Sequence, residues 1–150
     1  MTIPGYTMTS AIYEGSNTLV FRATRNSDNL AVILKTLKRD VASPPQLARL
    51  KREYDLAKWL KHPDVIAVLA LESYDNNLAI VMEDPRADSL AQMLQSRKLD
   101  LPDFLKLAAR IARVIGDIHR QQIMHLDINP SNILWNPETD TLKLIDFGIS

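Results

Sequence analysis

His125-Leu126-Asp127-Ile128-Asn129-Pro130-Ser131-Asn132 decides how this 150-residue chain is read. One histidine, one aspartate and two asparagines fall within eight residues, between apolar runs that read as strands. Asp127 and Asn132 offer oxygens of the hard kind that magnesium accepts. Asp146 follows 19 residues after Asp127, inside Asp146-Phe147-Gly148. Between them, Pro137-Glu138-Thr139-Asp140 is turn chemistry, which predicts a hairpin over residues 133–145. Such a hairpin brings Asp127, Asn132 and Asp146 to one end, so that three oxygen ligands or bases surround one point.

Outward from this segment, residues 6–25 read as two strands around the polar turn Glu14-Gly15-Ser16-Asn17. Ser27-Asp28-Asn29 leads to a third strand over 30–37, and Ser43-Pro44-Pro45 opens a helix. Leu47, Leu50, Tyr54, Ala57 and Leu60 recur at helical steps over 46–61, and His62-Pro63 stops them. Two further strands are expected at 65–71 and 78–82, joined by Tyr74-Asp75-Asn76-Asn77. Helical patterns resume at 89–97 and 101–122; in the latter, Phe104, Leu107, Ala108, Ile111, Ile115 and Ile118 line one face. The predicted class is α+β: five strands and one helix over 1–84, then a mainly helical part over 85–150. Residues 83–88, with Pro85, are the expected hinge.

Composition sets the outer limits. Eighteen basic and eighteen acidic side chains cancel, so no global field points to nucleic acid or an anionic membrane. Cysteine is absent, which removes disulfides, thiolate metal sites and cysteine nucleophiles and suits a reducing cytoplasm. No apolar run has the length of a membrane span. The strand-like run 142–146 passes into a turn where the sequence stops; a cut inside a domain is expected there.

The pattern resembles the protein-kinase signature His-Arg-Asp-Leu-x-x-x-Asn followed by Asp-Phe-Gly, and its other stations occur in order. Val32-Ile33-Leu34-Lys35 resembles the strand whose lysine holds the α- and β-phosphates, and Glu53 the helix carboxylate that pairs with it. Ile80-Val81-Met82-Glu83 resembles the strand entering the hinge, with Met82 behind the adenine. The resemblance implies a two-lobed fold binding ATP and Mg²⁺, with Asp127 orienting the substrate hydroxyl and Asn132 and Asp146 holding the metal. Lys35, Glu53 and Asn129 complete the implied catalytic set. The implied nucleotide contacts are Tyr13, Gly15, Val20, Lys35, Met82, Glu83 and Leu134. The wording of 129–133, of 146–150 and of Ile3-Pro4-Gly5-Tyr6 is similar to the N-terminal serine/threonine kinase domain of large bacterial signalling proteins that continue into ATPase and sensor histidine kinase modules.

Three positions depart from the signature. Its glycine loop, G-x-G-x-x-G-x-V, falls on Tyr13, Gly15, Thr18 and Val20, so one glycine remains. Leu126 replaces the catalytic-loop arginine that pairs with a phosphorylated activation loop, so activation by that route is not expected. Asn129 stands where most serine/threonine kinases carry a lysine that steadies the transferred phosphoryl group; it brings a hydrogen bond without charge, and slower transfer is expected.

Taken singly, each feature has a plainer explanation. Lys35 alone reads as an edge-strand lysine, and Glu53 as solvated or paired with Lys51. Asp146-Phe147-Gly148 alone is a common turn. His125 reads as packed and hydrogen-bonded beneath its loop, His62 as part of a helix stop and His119 as an ordinary helix-face residue. Order and spacing together favour the kinase reading. An active kinase, a nucleotide-binding pseudokinase and a small-molecule phosphotransferase stay open at this level.

Overall fold

The computed structural model describes residues 2–147, which divide into two compact units: residues 2–59 with 67–84, and residues 60–66 with 85–147. In the first unit, strands β1 (Tyr6–Glu14), β2 (Thr18–Arg25), β3 (Leu30–Leu37), β4 (Val68–Tyr74) and β5 (Asn77–Glu83) form one antiparallel sheet in the order β1-β2-β3-β5-β4, with helix α1 (Pro44–Trp59).

Strand periodicity explains the layers. Val32 and Leu34 point to one face and pack with Ile3, Tyr6, Ala23, Tyr74, Ala79 and Val81. Leu37 and Ile80 point to the other and pack with Leu50 of α1. The central strand β3 is therefore buried on both faces. Turns are made by residues that tolerate left-handed backbone. Asp75 and Asn76, with φ of 44° and 60°, close the two-residue hairpin between Tyr74 and Asn77. At the β2–β3 turn Asn29 has φ 57°, and the Asp28 carboxylate accepts from the Leu30 N–H at 3.2 Å and from Arg25 Nη2 at 2.6 Å.

Helix α1 opens on Pro44, where a missing donor costs nothing. It ends at Trp59, two residues short of the expected 61, because Pro63 drives the residue before it out of helical backbone. The strand expected at 65–71 begins only at Val68. Its first residues are held in the second unit instead: the Leu144 N–H donates to the Asp64 carbonyl at 2.8 Å and the Ile66 N–H to the Leu144 carbonyl at 3.0 Å. Arg110 clasps the Asp64 carboxylate, Nη2 to Oδ1 at 2.6 Å, and His62 Nε2 meets Asp117 Oδ2 at 3.0 Å.

The second unit contains α2 (Leu90–Ser96), α3 (Leu101–Arg120) and a small sheet of β6 (Asp88–Ser89), β7 (Ile133–Asn136) and β8 (Thr141–Leu144) in that order. Ser89 and Gln92 form a capping box on α2. Asp100 caps α3 by accepting from the Asp103 N–H at 2.8 Å. The buried stripe of α3 is narrower than expected and differently placed: Leu107, Val114 and Ile118 are buried, whereas Phe104 is 54 % exposed. Val114 lies seven residues from Leu107, two helical turns on, so it shares that stripe. Among the described residues no helix is long and apolar enough to cross a membrane.

Candidate active site

Lys35 owes its surroundings to strand alternation. Val32 and Leu34 occupy one face of β3, which leaves Lys35 on the face where Leu37 meets α1. On α1, Glu53 follows Leu50 by three residues and precedes Ala57 by four, so it lies on the stripe that both of those residues bury. The two meet: Lys35 Nζ donates to Glu53 Oε1 at 2.6 Å, with each side chain only 10 % exposed. Lys51, the partner Glu53 would take on a solvated face, pairs with Asp55 instead.

The turn between β1 and β2 carries the remaining glycine. The Gly15 N–H donates to the Thr18 carbonyl at 2.9 Å, and Tyr13 pairs with Val20 across the strands. A Cβ on Gly15 would lie 2.8 Å from the Tyr13 ring, so Gly15 gives room for that ring over the turn. At the far end of β5, Met82 packs among the apolar residues beneath α1. Glu83 is occupied locally: its N–H donates to the Ala67 carbonyl at 3.0 Å and its Oε1 accepts from the Ala67 N–H at 2.9 Å. That carboxylate cap had no signal in the sequence, because Ala67 is 16 residues away.

In the second unit, loop 124–132 is built around His125. The imidazole is 2 % exposed and tilts against Phe147, ring centroids 4.6 Å apart. Its Nδ1 accepts from the Asp127 N–H at 3.3 Å, and its Nε2 faces the Ile145 carbonyl at 2.8 Å. A nitrogen that accepts from an N–H carries no proton, so the ring is neutral with its hydrogen on Nε2. Burial pushes this histidine below its ordinary pKa, against the opposing pull of the Ile145 carbonyl and the carboxylates of Asp146 and Asp127. The packed, hydrogen-bonded reading of His125 matches this environment.

His125 thus ties the loop to residues 145–147. Asn132 Nδ2 donates to the Asp127 carbonyl and to Asp127 Oδ2, both at 2.9 Å. The Ile145 N–H donates to the Asn132 carbonyl at 3.0 Å, which sets Asp146 one residue beyond that bond. Asp146 has φ 66° and Leu126 φ 62°; a left-handed residue other than glycine costs roughly 1–2 kcal/mol. Leu126 is also 61 % exposed, so no burial offsets that cost. Leu134 is buried on β7 opposite Lys143 and Ser89. Gly148 of the Asp-Phe-Gly station, with Ile149 and Ser150, lies outside the described residues.

Asn129 does more than its sequence position announced. Its Nδ2 donates to Asp127 Oδ1 at 3.1 Å and to the Asp127 carbonyl at 3.2 Å, while its Oδ1 accepts from the Ser131 N–H at 2.9 Å. Both oxygens of the Asp127 carboxylate therefore take an amide donor. Among the described residues no group of three or more His, Cys, Asp or Glu could hold a metal. The donor set that suits a hard cation is mixed: the Asp146 carboxylate and the Asn132 amide oxygen, the end of that side chain turned away from Asp127.

The first unit thus holds a buried lysine–glutamate pair, and the second a carboxylate held between two amides with an aspartate one residue beyond the Asn132 contact, each at the position where the sequence resembles a protein kinase. Comparison with known proteins agrees. The family model described as "Protein kinase domain" matches residues 6–150. Serine/threonine-protein kinase pkn3 of Myxococcus xanthus is 34 % identical over 97 % of this chain and 28 % of its own length. A probable serine/threonine-protein kinase of Streptomyces coelicolor is 35 % identical over 79 % of this chain and 18 % of its own. "Serine/threonine-protein kinase fused" of Drosophila melanogaster is 26 % identical over 97 % of this chain and 18 % of its own length. The chain spans less than a third of each of these relatives. With a family match over nearly every residue that carries the geometry above, the chain belongs to the protein kinase family.

Proposed function

We propose that this chain is the nucleotide-binding and catalytic-loop part of a serine/threonine kinase in a bacterial signalling protein, transferring the γ-phosphoryl group of ATP to a protein hydroxyl. The observation that carries the reading is the carboxylate of Asp127, exposed to solvent yet held at both oxygens by Asn129 and Asn132. A carboxylate fixed in this way presents one orientation to a hydroxyl hydrogen, and orientation is most of what phosphoryl transfer asks of the protein.

Each unit has its own part. Lys35, kept in place by Glu53, provides an ammonium for the nucleotide phosphates. Asp127 accepts the hydroxyl hydrogen as the substrate oxygen bonds to the γ-phosphorus. The bond from that phosphorus to the β,γ-bridging oxygen breaks, ADP departs and the proton passes to solvent. Asn132 and Asp146 are the residues that would hold Mg²⁺, which when bound offsets charge on the phosphate oxygens. Held at both oxygens by amide donors, Asp127 acts first by aligning the hydroxyl.

A pseudokinase reading is favoured by two observations: the Tyr13 ring lies over the single glycine of the turn, and Asn129 offers no charge. The test takes the full-length protein with γ-labelled ATP and protein substrates. Transferred label that falls by about 10²-fold or more in Asp127→Ala supports the kinase. Nucleotide binding without Asp127-dependent label supports the pseudokinase. We further propose a cytoplasmic polypeptide with ATPase and sensor histidine kinase modules, which rests on the wording of 129–133 and 146–150. The 150 residues alone are expected to transfer little, in line with the small share of its relatives that the chain covers.

A further inference from the structure

An amide nitrogen carries two hydrogens, and those of Asn129 face two acceptors of one residue: the Asp127 carbonyl at 3.2 Å and Asp127 Oδ1 at 3.1 Å. We propose that Asn129 is a positioning residue that acts through Asp127, orienting its carboxylate with a neutral donor, and is not a group that steadies the transferred phosphoryl. The inference rests on the phosphoryl-transfer reading above and assigns Asn129 a task different from that of the lysine whose position it occupies.

The direction of the Asn129 amide follows from its other end. Oδ1 accepts from the Ser131 N–H at 2.9 Å, and a backbone N–H can only donate, so the oxygen must lie on that side and the nitrogen on the side of Asp127. The backbone holds the side chain in place. Asn129 is extended, with φ −151° and ψ 164°, and caps the short 3-10 turn Pro130–Asn132, whose first residue has its φ locked by the proline ring. Asn132 repeats the arrangement from the far end of that turn, reaching the Asp127 carbonyl and Oδ2. The 3-10 turn is thus a rigid spacer between two amides that grip one carboxylate. A lysine at 129 would add charge beside Asp127 but could not accept from Ser131, so the cap would be lost.

Two variants separate positioning from mere support. Asp caps as well as Asn, so Asn129→Asp keeps the bond from Ser131 but turns an oxygen, without a hydrogen, toward Asp127 Oδ1. Asn129→Ala loses both the cap and the donor. In the full-length protein, kcat for Asp127-dependent transfer is expected to fall about tenfold in Asn129→Ala and about 100-fold in Asn129→Asp. Thermal midpoints should rank the other way, with Asn129→Asp closer to wild type. The dissociation constant for MgATP should stay within about twofold in both, because neither change touches a phosphate contact. Asn129→Asp retaining half of the wild-type kcat would overturn the inference, as would activity falling in the same order as thermal midpoint. A several-fold weakening of MgATP binding would return Asn129 to the phosphates and also overturn it. Wild-type protein without Asp127-dependent transfer would defeat the kinase reading and this inference together; the outcomes before it defeat the inference alone.

Discussion

Replacing Glu53 by Leu removes one charge from a pair that is almost wholly covered, and the magnitude follows from that cover. At 2.6 Å, with each side chain 10 % exposed, the attraction is about 6 kcal/mol at an effective dielectric of 20. Most of that offsets the loss of hydration of both ions, so the net worth of the intact pair is small. Removing one partner is different, because the Lys35 ammonium keeps its desolvation and loses the carboxylate that Glu53 holds against it; such changes cost about 3–5 kcal/mol. Taking about 3 kcal/mol and a urea slope of about 1.5 kcal/mol per molar, the unfolding midpoint should fall by about 2 M. The chain has two tryptophans, Trp59 at the end of α1 and Trp135 on β7 in the other unit. A Trp135→Phe background therefore lets fluorescence follow the unit that holds the pair. Adding Lys35→Met should recover stability, since an apolar chain of similar length then meets the introduced leucine without a buried charge. A midpoint shift below about 0.4 M in Glu53→Leu would refute the reasoning. So would a double variant no more stable than Glu53→Leu, because the cost would then not come from the stranded ion.

Two further effects follow from groups buried with their partners. His125 is neutral in the fold and its pKa is depressed by burial, so the unfolded chain binds the extra proton. Stability should accordingly be full above the ordinary histidine value near 6.5 and decline as pH falls from there toward the lower folded value. Urea midpoints of the second unit measured between about pH 7.5 and 5 check this, and His125→Phe, which keeps a ring beside Phe147, should flatten the slope. Asn77, 3 % exposed, donates through Nδ2 to the Leu37 carbonyl at 2.9 Å. Asn77→Ala leaves that carbonyl buried without its partner and should cost about 2 kcal/mol by the same denaturation, whereas Asn76→Gly, at a left-handed turn position, should cost almost nothing.

The first unit was legible almost strand by strand because its signals are local. Alternation over residues 30–37 and turn chemistry at 28–29 and 75–76 each act within a few residues. The errors came where a distant group took over. Val65 and Ile66 have the apolar, β-branched character of a strand start, yet Asp64 and Ile66 bond to Leu144, at the other end of the chain. No local pattern reports such a partner. On α3, helical spacing admitted several stripes, and packing selected Leu107, Val114 and Ile118 over the broader face that included Phe104.

The candidate site divides along the same line. Lys35 and Glu53 could be paired from the sequence only by resemblance, since a lysine on a strand and a glutamate on a charged helix have nearer partners to choose from. Their meeting depends on β3 showing opposite faces at successive residues and on Glu53 sharing the stripe of Leu50 and Ala57. Loop 124–132 was legible in its residue types but not in its hydrogen bonds. In the sequence Asn129 is an uncharged hydrogen-bonding residue at a position where most serine/threonine kinases carry a lysine, and its type alone does not report the bonds it makes to Asp127 and from the Ser131 N–H. The same loop also lacks the arginine of the signature, because Leu126 stands there, exposed and left-handed. Both positions at which most serine/threonine kinases carry a cation are thus uncharged. What holds it is a buried neutral imidazole at one end and two amides at the other. A loop braced by neutral donors keeps its shape without a phosphorylated segment to complete it, so its geometry should be independent of activation-loop phosphorylation.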